Sequence, residues 1–140
     1  MKFSIQQATR QGRRSSNQDR LGIAYSREAL LMVVADGMGG HPGGEVAAQI
    51  ALNTLIGEFR KLALPRLAAP ERFLDIALLR AHHAINAYAG ARGQADAPRT
   101  TCVAALVQDA RAWWAHAGDS RLYCFSAGEL VERTEDHSPV

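Results

Sequence analysis

The sequence has few of the features that are typical of zinc-stabilised, disulfide-rich secreted or membrane proteins. It has two cysteines in 140 residues, Cys102 and Cys124, with no CxxC pair and no neighbouring histidine. Neither a zinc site nor a disulfide framework is therefore indicated. No apolar run approaches the roughly 20 residues of a membrane span, and no signal-peptide core follows Met1. We expect a cytoplasmic protein that does not bind a membrane.

The excess of one charge is also small. Sixteen Lys and Arg face fourteen Asp and Glu, a formal net charge of +2, which does not indicate a nucleic-acid partner. A hydrophobic content of 47% with 21% charged residues is typical of one globular domain, or part of one, and not of a disordered chain. Fourteen of the cations are arginine, the better two-point ligand for phosphate.

Apolar periodicity predicts strands, then two helices, then strands again. The first strands are predicted over 3–10, 21–25 and 29–35, the helices over 45–62 and 71–89, and the later strands over 100–107, 112–117, 122–125 and 130–133. This order favours an α+β fold over alternating βαβ units.

A glycine-rich stretch follows the third predicted strand. Five glycines in the nine residues 36–44 each cost backbone entropy, so they imply a close approach of the backbone to something. A nucleotide P-loop is one reading, but Glu45 and Val46 stand where its lysine and its serine or threonine belong. Asp36 at a strand end, followed by the free carbonyl of Gly37, instead suits a hard divalent cation.

Two further polar clusters flank predicted strands. Residues 13–19 form either a solvated loop or an anion site, and residues 117–121 form either a hairpin turn or a ligand-bearing corner. Asp19, Asp36 and Asp119 would form a metal site if these strand ends met at one sheet edge.

The histidines give a weaker indication of a functional site than the acidic clusters do. His82 and His83 are expected on a helix surface, and His116 in strand packing. His41 and His137 lie nearest the polar clusters, without the spacing of metal ligands.

In this order and context, the clusters resemble the metal-dependent protein serine/threonine phosphatases of the protein phosphatase 2C type, in their bacterial form. The matching stretches are Arg14-x-x-Asn17-Gln18-Asp19, Val34-Ala35-Asp36-Gly37-Met38-Gly39-Gly40-His41-x-x-Gly44-Glu45-x-Ala47, Thr100-Thr101, Gly118-Asp119-Ser120-Arg121-x-Tyr123, Gly128-x-Leu130 and Thr134-x-Asp136-His137-Ser138. We expect residues 1–140 to be the N-terminal portion of one such domain. Its C-terminal portion, which in the family carries two more metal-binding aspartates, is then absent.

The resemblance implies part of a four-layer α/β/β/α sandwich with a central antiparallel β-sandwich. It implies two or three Mg²⁺ or Mn²⁺ ions, with Asp36 bridging two of them, the Gly37 carbonyl binding one and Asp119 helping to hold a third. As catalytic residues, Asp19 would orient metal-bound water and Arg14 would bind the substrate phosphate.

Two positions depart from the pattern of some relatives. Met38 stands where those relatives carry a histidine that is a candidate general acid, so the acid is unassigned and His41 is only a guess. Gln18 stands where others have Glu and is not taken as a ligand.

The implied function is hydrolysis of phosphoserine and phosphothreonine in proteins by a metal-activated water, alongside a cognate serine/threonine kinase. The alternative is a catalytically impaired regulatory or binding module. In either case, the 140 residues alone are expected to bind metal weakly and to hydrolyse phosphoesters slowly or not at all.

Overall fold

A computed structural model describes residues 1–38, 43–94 and 96–137 of the chain. The elements run in the order β1 (Asp19–Tyr25), β2 (Ala29–Asp36), α1 (Gly44–Leu62), α2 (Pro70–Ala91), β3 (Cys102–Gln108), β4 (Arg111–Ala117), β5 (Tyr123–Ser126) and β6 (Glu129–Arg133). Strands β1 to β4 form an antiparallel sheet in sequence order, and β5 pairs with β6 in a separate hairpin. The predicted α+β fold is confirmed.

The core lies between the helices and one face of the four-stranded sheet. Successive side chains of a strand point to opposite faces, and the register pairs Leu31 of β2 with Leu106 of β3. Both are fully buried, as is Leu55 of α1. The near-continuous apolar sequence of β2 thus reflects a central strand with neighbours on both sides.

The helices form one layer over that face. Helix α1 packs on β1 and β2, and α2 packs on β4. The two helices meet through Phe59 and Phe73, whose rings stand edge to face at 6.2 Å, a favourable aromatic geometry. Glu45 in the first turn of α1 complements the helix dipole, and Pro70 starts α2 at a position where its missing N–H costs nothing.

The opposite face of the sheet is more open. Tyr25 and Val34 are 67% and 44% exposed, and Phe3 from the N-terminal segment lies against the Tyr25 ring at 5.6 Å. Of the four layers that the resemblance implies, residues 1–38, 43–94 and 96–137 form one helical layer and one four-stranded sheet, and β5 and β6 form a separate hairpin.

One predicted strand does not form. Residues 3–10 have no strand structure, because β1 pairs with β2 and the segment has no ladder partner among the described residues. An isolated extended segment gains little stability in water. The other predicted strands and both helices are confirmed to within a few residues.

No helix in the described part of the chain is long and apolar enough to cross a membrane.

Candidate active site

Two of the expected site residues face each other across a β-ladder. Asp19 opens β1 and Asp36 ends β2, and the antiparallel register makes them direct partners. Directly opposite residues of an antiparallel ladder have Cβ atoms roughly 4.5 to 5.5 Å apart, so the negative charge of Asp19 acts on the Asp36 carboxyl group. The ladder therefore produces a close pair of acids at one end of the sheet.

Electrostatics at this pair oppose full ionisation. Partial burial, then the hydrogen bond and negative charge of Asp19, then the charge of Asp119, raise the pKa of Asp36 to about 6. The charge of Arg14 acts in the opposite direction. The site thus holds more negative charge than its own cation balances, the condition under which an acid keeps its proton to higher pH.

These groups line one open cleft of about 690 Å³. Its walls come from the segment before β1, the end of β2, the start of β3 and the corner after β4, namely Gln11, Arg14, Ser15, Ser16, Asn17, Gln18, Asp19, Asp36, Gly37, Met38, Thr101 and Asp119. The expected site residues Arg14, Asp19, Asp36, Gly37 and Asp119 are all brought to this cleft.

The segment that carries Arg14 is held by local hydrogen bonds. The Gln11 side-chain amide donates to the Arg14 carbonyl at 2.7 Å, and the Arg14 N–H donates to the Gln11 carbonyl at 3.3 Å. The Asn17 side-chain oxygen accepts from the Asp19 N–H at 3.0 Å, an Asx turn that leads into β1. Residues 13–18 form a loop with an exposed Arg14, and this loop places Arg14 in the same cleft as the acids.

Asp119 lies at a corner between two sheets. A hairpin turn at residues 117–121 is excluded, because β4 and β5 belong to different sheets. Hydrogen bonds connect this corner to residues 136 and 137. The Arg121 guanidinium donates two hydrogen bonds to the Asp136 carboxylate, at 2.9 and 2.7 Å, and the His137 N–H donates to the Gly118 carbonyl at 2.9 Å. Arg121 also lowers the pKa of Asp136.

Gly37 is a glycine for steric reasons. It is buried, its N–H donates to the Gln18 carbonyl at 3.1 Å, and an added Cβ would collide with the backbone of Gly44. The close approach expected from the glycines is therefore, at this position, the start of α1. Gly39, Gly40 and His41 lie in the range 39–42, outside the described residues.

The carboxyl groups of the cleft are suitable ligands for a hard divalent cation, although they form only part of a full ligand set. Among the described residues, the titratable groups lining the cleft are three aspartates and Arg14, with no imidazole or thiol, and oxygen ligands suit Mg²⁺ or Mn²⁺. A cation would offset the mutual repulsion of the negative charges at Asp19, Asp36 and Asp119. Within residues 1–38, 43–94 and 96–137, however, no three acidic, histidine or cysteine side chains form a ready-made cluster.

Two polar side chains of the cleft region were not predicted from sequence. Thr101, almost fully buried, has its hydroxyl 2.5 Å from that of Ser120. From the sequence, Thr101 is named only within the matching stretch Thr100-Thr101, without a role of its own. Gln18, not expected as a ligand, has a buried side-chain oxygen without a partner among the described residues, near Gly44.

Comparison with known proteins agrees with this geometry. A family model described as Protein phosphatase 2C matches residues 6–139. A serine/threonine phosphatase stp of Listeria innocua is 33% identical over 129 residues, 91% of this chain and 51% of that protein. The serine/threonine protein phosphatase PstP of Mycobacterium tuberculosis is 34% identical over 127 residues, 91% of this chain and 23% of that protein.

Solved structures show the same fold. The phosphatase Stp1 from Staphylococcus aureus matches with a TM-score of 0.80 and 33% identity, over 91% of this chain and 50% of that one. The catalytic domain of PstP in complex with two manganese ions matches with a TM-score of 0.66 and 31% identity, over 84% and 48% of the two chains. The chain spans about half the length of the Listeria phosphatase that it matches, and by sequence and fold it belongs to the protein phosphatase 2C family.

Proposed function

We propose that this chain carries the acidic half-site of a metal-dependent protein serine/threonine phosphatase, which hydrolyses phosphoserine and phosphothreonine in proteins. The observation that carries the proposal is the Asp19–Asp36 pair, with Arg14 and Asp119 in the same cleft. Relatives named serine/threonine phosphatases support the substrate class, and a neighbour that holds two manganese ions supports the cofactor.

The roles of the residues follow from their chemistry. Asp36 and the Gly37 carbonyl would hold Mg²⁺ or Mn²⁺, and Asp119 would contribute to a further ion. When bound, such ions polarise the phosphoryl oxygens and acidify water for attack. Asp19 accepts a hydrogen bond from the attacking water and so fixes its direction. Arg14 binds two oxygens of the substrate phosphate through its planar guanidinium.

The proton for the leaving oxygen comes from another group. Met38 lines the cleft, and its thioether has no proton to donate. The phosphoprotein substrates would come from a serine/threonine kinase, since that class of enzyme makes the monoester that this chemistry breaks.

A second candidate, a regulatory or binding module that does not turn over, has an observation in its favour. The described residues contain no cluster of three metal-ligating side chains. Such a module would keep the cleft and bind a phosphorylated protein without cleaving it.

Metal binding and hydrolysis separate the two candidates. In a chain completed to the full phosphatase domain, Mn²⁺ binding is measured by calorimetry, and release of phosphate from a phosphothreonine peptide is followed with and without Mn²⁺. Under the proposal, Mn²⁺ binds, hydrolysis requires it, and Asp36→Ala abolishes both while the circular dichroism spectrum stays unchanged. Metal and peptide binding without hydrolysis would favour the binding module, whereas hydrolysis that survives dialysis against EDTA would overturn metal dependence.

A further inference from the structure

Thr101 bonds to both backbone polar groups of Asp36. Its N–H donates to the Asp36 carbonyl at 2.9 Å, and its side-chain oxygen accepts from the Asp36 N–H at 3.1 Å. Thr101 is only 4% exposed, so water does not easily replace these bonds. The backbone position of Asp36 is therefore set by one neighbouring residue.

The same side chain also reaches the corner that carries Asp119. The Thr101 hydroxyl is in hydrogen-bond contact with the Ser120 hydroxyl. The Thr101 methyl carbon lies 2.7 Å from the position that a Cβ on Gly118 would occupy, and Gly118 has a φ of +101°. A side chain at position 118 would be strained by its backbone and would also strike Thr101.

We propose that Thr101 is the positioning residue of the site, which holds Asp36 and Asp119 at a fixed separation through one hydroxyl. The proposal rests on the proposed function, in which these two acids bind cations. The two acids are far apart in sequence and have exposed side chains, so their separation depends on how their backbones are tied. The Thr101 hydroxyl accepts a hydrogen bond from the Asp36 N–H and is bonded to Ser120, so it connects the backbone of Asp36 to the residue that follows Asp119.

Both branches of the threonine side chain are used, which gives a matched pair of variants. Thr101→Val keeps the methyl packing against Gly118 and removes the hydroxyl. Thr101→Ser keeps the hydroxyl and removes the methyl. Thr54→Val is the control, because the Thr54 hydroxyl bonds only its own helix, at the Ile50 carbonyl, and it takes no part in the cleft.

The experiment combines a metal-free and a metal-dependent measurement on the 140-residue chain. Amide hydrogen exchange by NMR reports whether the Asp36 N–H is bonded, and calorimetry reports the affinity for Mn²⁺. We expect Thr101→Val to speed exchange at Asp36 about tenfold, as for loss of one hydrogen bond, with Leu31 in the same strand unchanged. We expect it to weaken Mn²⁺ binding at least threefold, while Thr101→Ser and Thr54→Val stay within about twofold of wild type in both measurements.

Ser120→Ala provides an independent variant should Thr101→Val fail to fold. It removes the link to the Asp119 corner and leaves the Asp36 bond, so Mn²⁺ affinity should fall while exchange at Asp36 stays as in wild type. If neither variant changes Mn²⁺ affinity, or if Thr101→Ser behaves like Thr101→Val, the hydroxyl does not position the site and the proposal is wrong.

The two proposals fail differently. A uniform rise in exchange across the core of Thr101→Val would identify a residue that only stabilises the fold, and would overturn the positioning role. Absence of Mn²⁺ binding by the wild-type chain, with the local change at Asp36 still present, would count against the proposed metal site and leave Thr101 as the residue that fixes Asp36.

Discussion

Asp19 lies directly opposite Asp36 in the β1–β2 ladder, and partial burial together with the charge of Asp19 raises the pKa of the Asp36 carboxyl group. In a sheet, a shift of register by one residue moves every side chain of the strand to the other face. The register that puts Ala24 of β1 in the core therefore also decides that the two acids meet. Packing of the core and assembly of the site are fixed by the same register.

The first prediction concerns pH. Because the pKa of Asp36 is raised from 3.8 to about 6, the folded chain binds this proton more tightly than the unfolded chain does. Its contribution to stability is complete below the unfolded pKa and is lost as pH rises through about 6. Without metal, we expect the melting temperature of the wild-type chain to fall across this range more than that of Asp36→Asn.

Asp75→Asn is the control for that comparison, because Asp75 is an exposed residue of α2 and removal of its charge should leave the slope with pH as in wild type. Equal slopes for wild type and Asp36→Asn would contradict the prediction.

The second prediction concerns the two neighbouring arginines. Arg14 lines the cleft and its charge acts on Asp36, whereas Arg13 is not among the lining residues. In the Mn²⁺-loaded chain, Arg14→Ala should weaken binding of inorganic phosphate by about 1.5 to 3 kcal/mol, the range for a hydrogen bond to a charged group. Arg13→Ala should change it little. Equal losses in calorimetry would indicate general surface charge and not a positioned ligand.

The third prediction concerns a buried glutamine far from the site. Gln108, 2% exposed, ends β3 and binds the backbone of Leu67 at both ends of its amide, accepting at 2.8 Å and donating at 2.9 Å. Gln108→Met leaves two buried backbone groups without partners and should cost about 2 to 6 kcal/mol in urea unfolding, at about 1 to 3 kcal/mol for each group.

Gln49→Met is the matched control for Gln108→Met. Gln49 bonds Arg20 and Asn53 on a partly exposed surface, where water replaces the lost bonds, so the cost should stay below about 1 kcal/mol. A similar cost for both variants would show that burial does not decide the effect.

The fourth prediction concerns the cysteines. Burial raises the pKa of the Cys102 thiol to about 12, so little thiolate forms near pH 8 and the thiol should not react in the folded chain. Cys124 is only partly buried. We expect an aromatic disulfide reagent to modify one thiol quickly and the second only in denaturant, and Cys124→Ser to abolish the fast reaction. Fast loss of both thiols would contradict this.

The elements that sequence predicted well are those with strong local signals. The apolar run of β2 and the helical periodicity of α1 are both visible within short windows of sequence, without reference to residues elsewhere in the chain. The predicted strand at residues 3–10 failed because a strand depends on a partner that its own sequence does not contain.

The sequence allowed five residues of the cleft to be proposed, but not the contacts between them. Arg14, Asp19, Asp36, Gly37 and Asp119 were proposed from the chemistry of acids at strand ends together with the resemblance to the protein phosphatase 2C type, and they line one cleft. The Thr101–Ser120 contact and the Arg121–Asp136 pair could not be predicted, since hydroxyls and ion pairs of these types occur over any surface. Only the fold shows which of them touch.

The contact of Gly37 with Gly44 has a consequence for how this chain can vary. Because backbone meets backbone there, any side chain at position 37, however small, must push α1 away from the strand that carries Asp36. In a library of all single substitutions, position 37 should reject alanine and serine as firmly as tryptophan. If every substitution at position 37 is rejected whatever the chemistry of the side chain, the position is constrained by the close approach of two backbones and not by a reactive group.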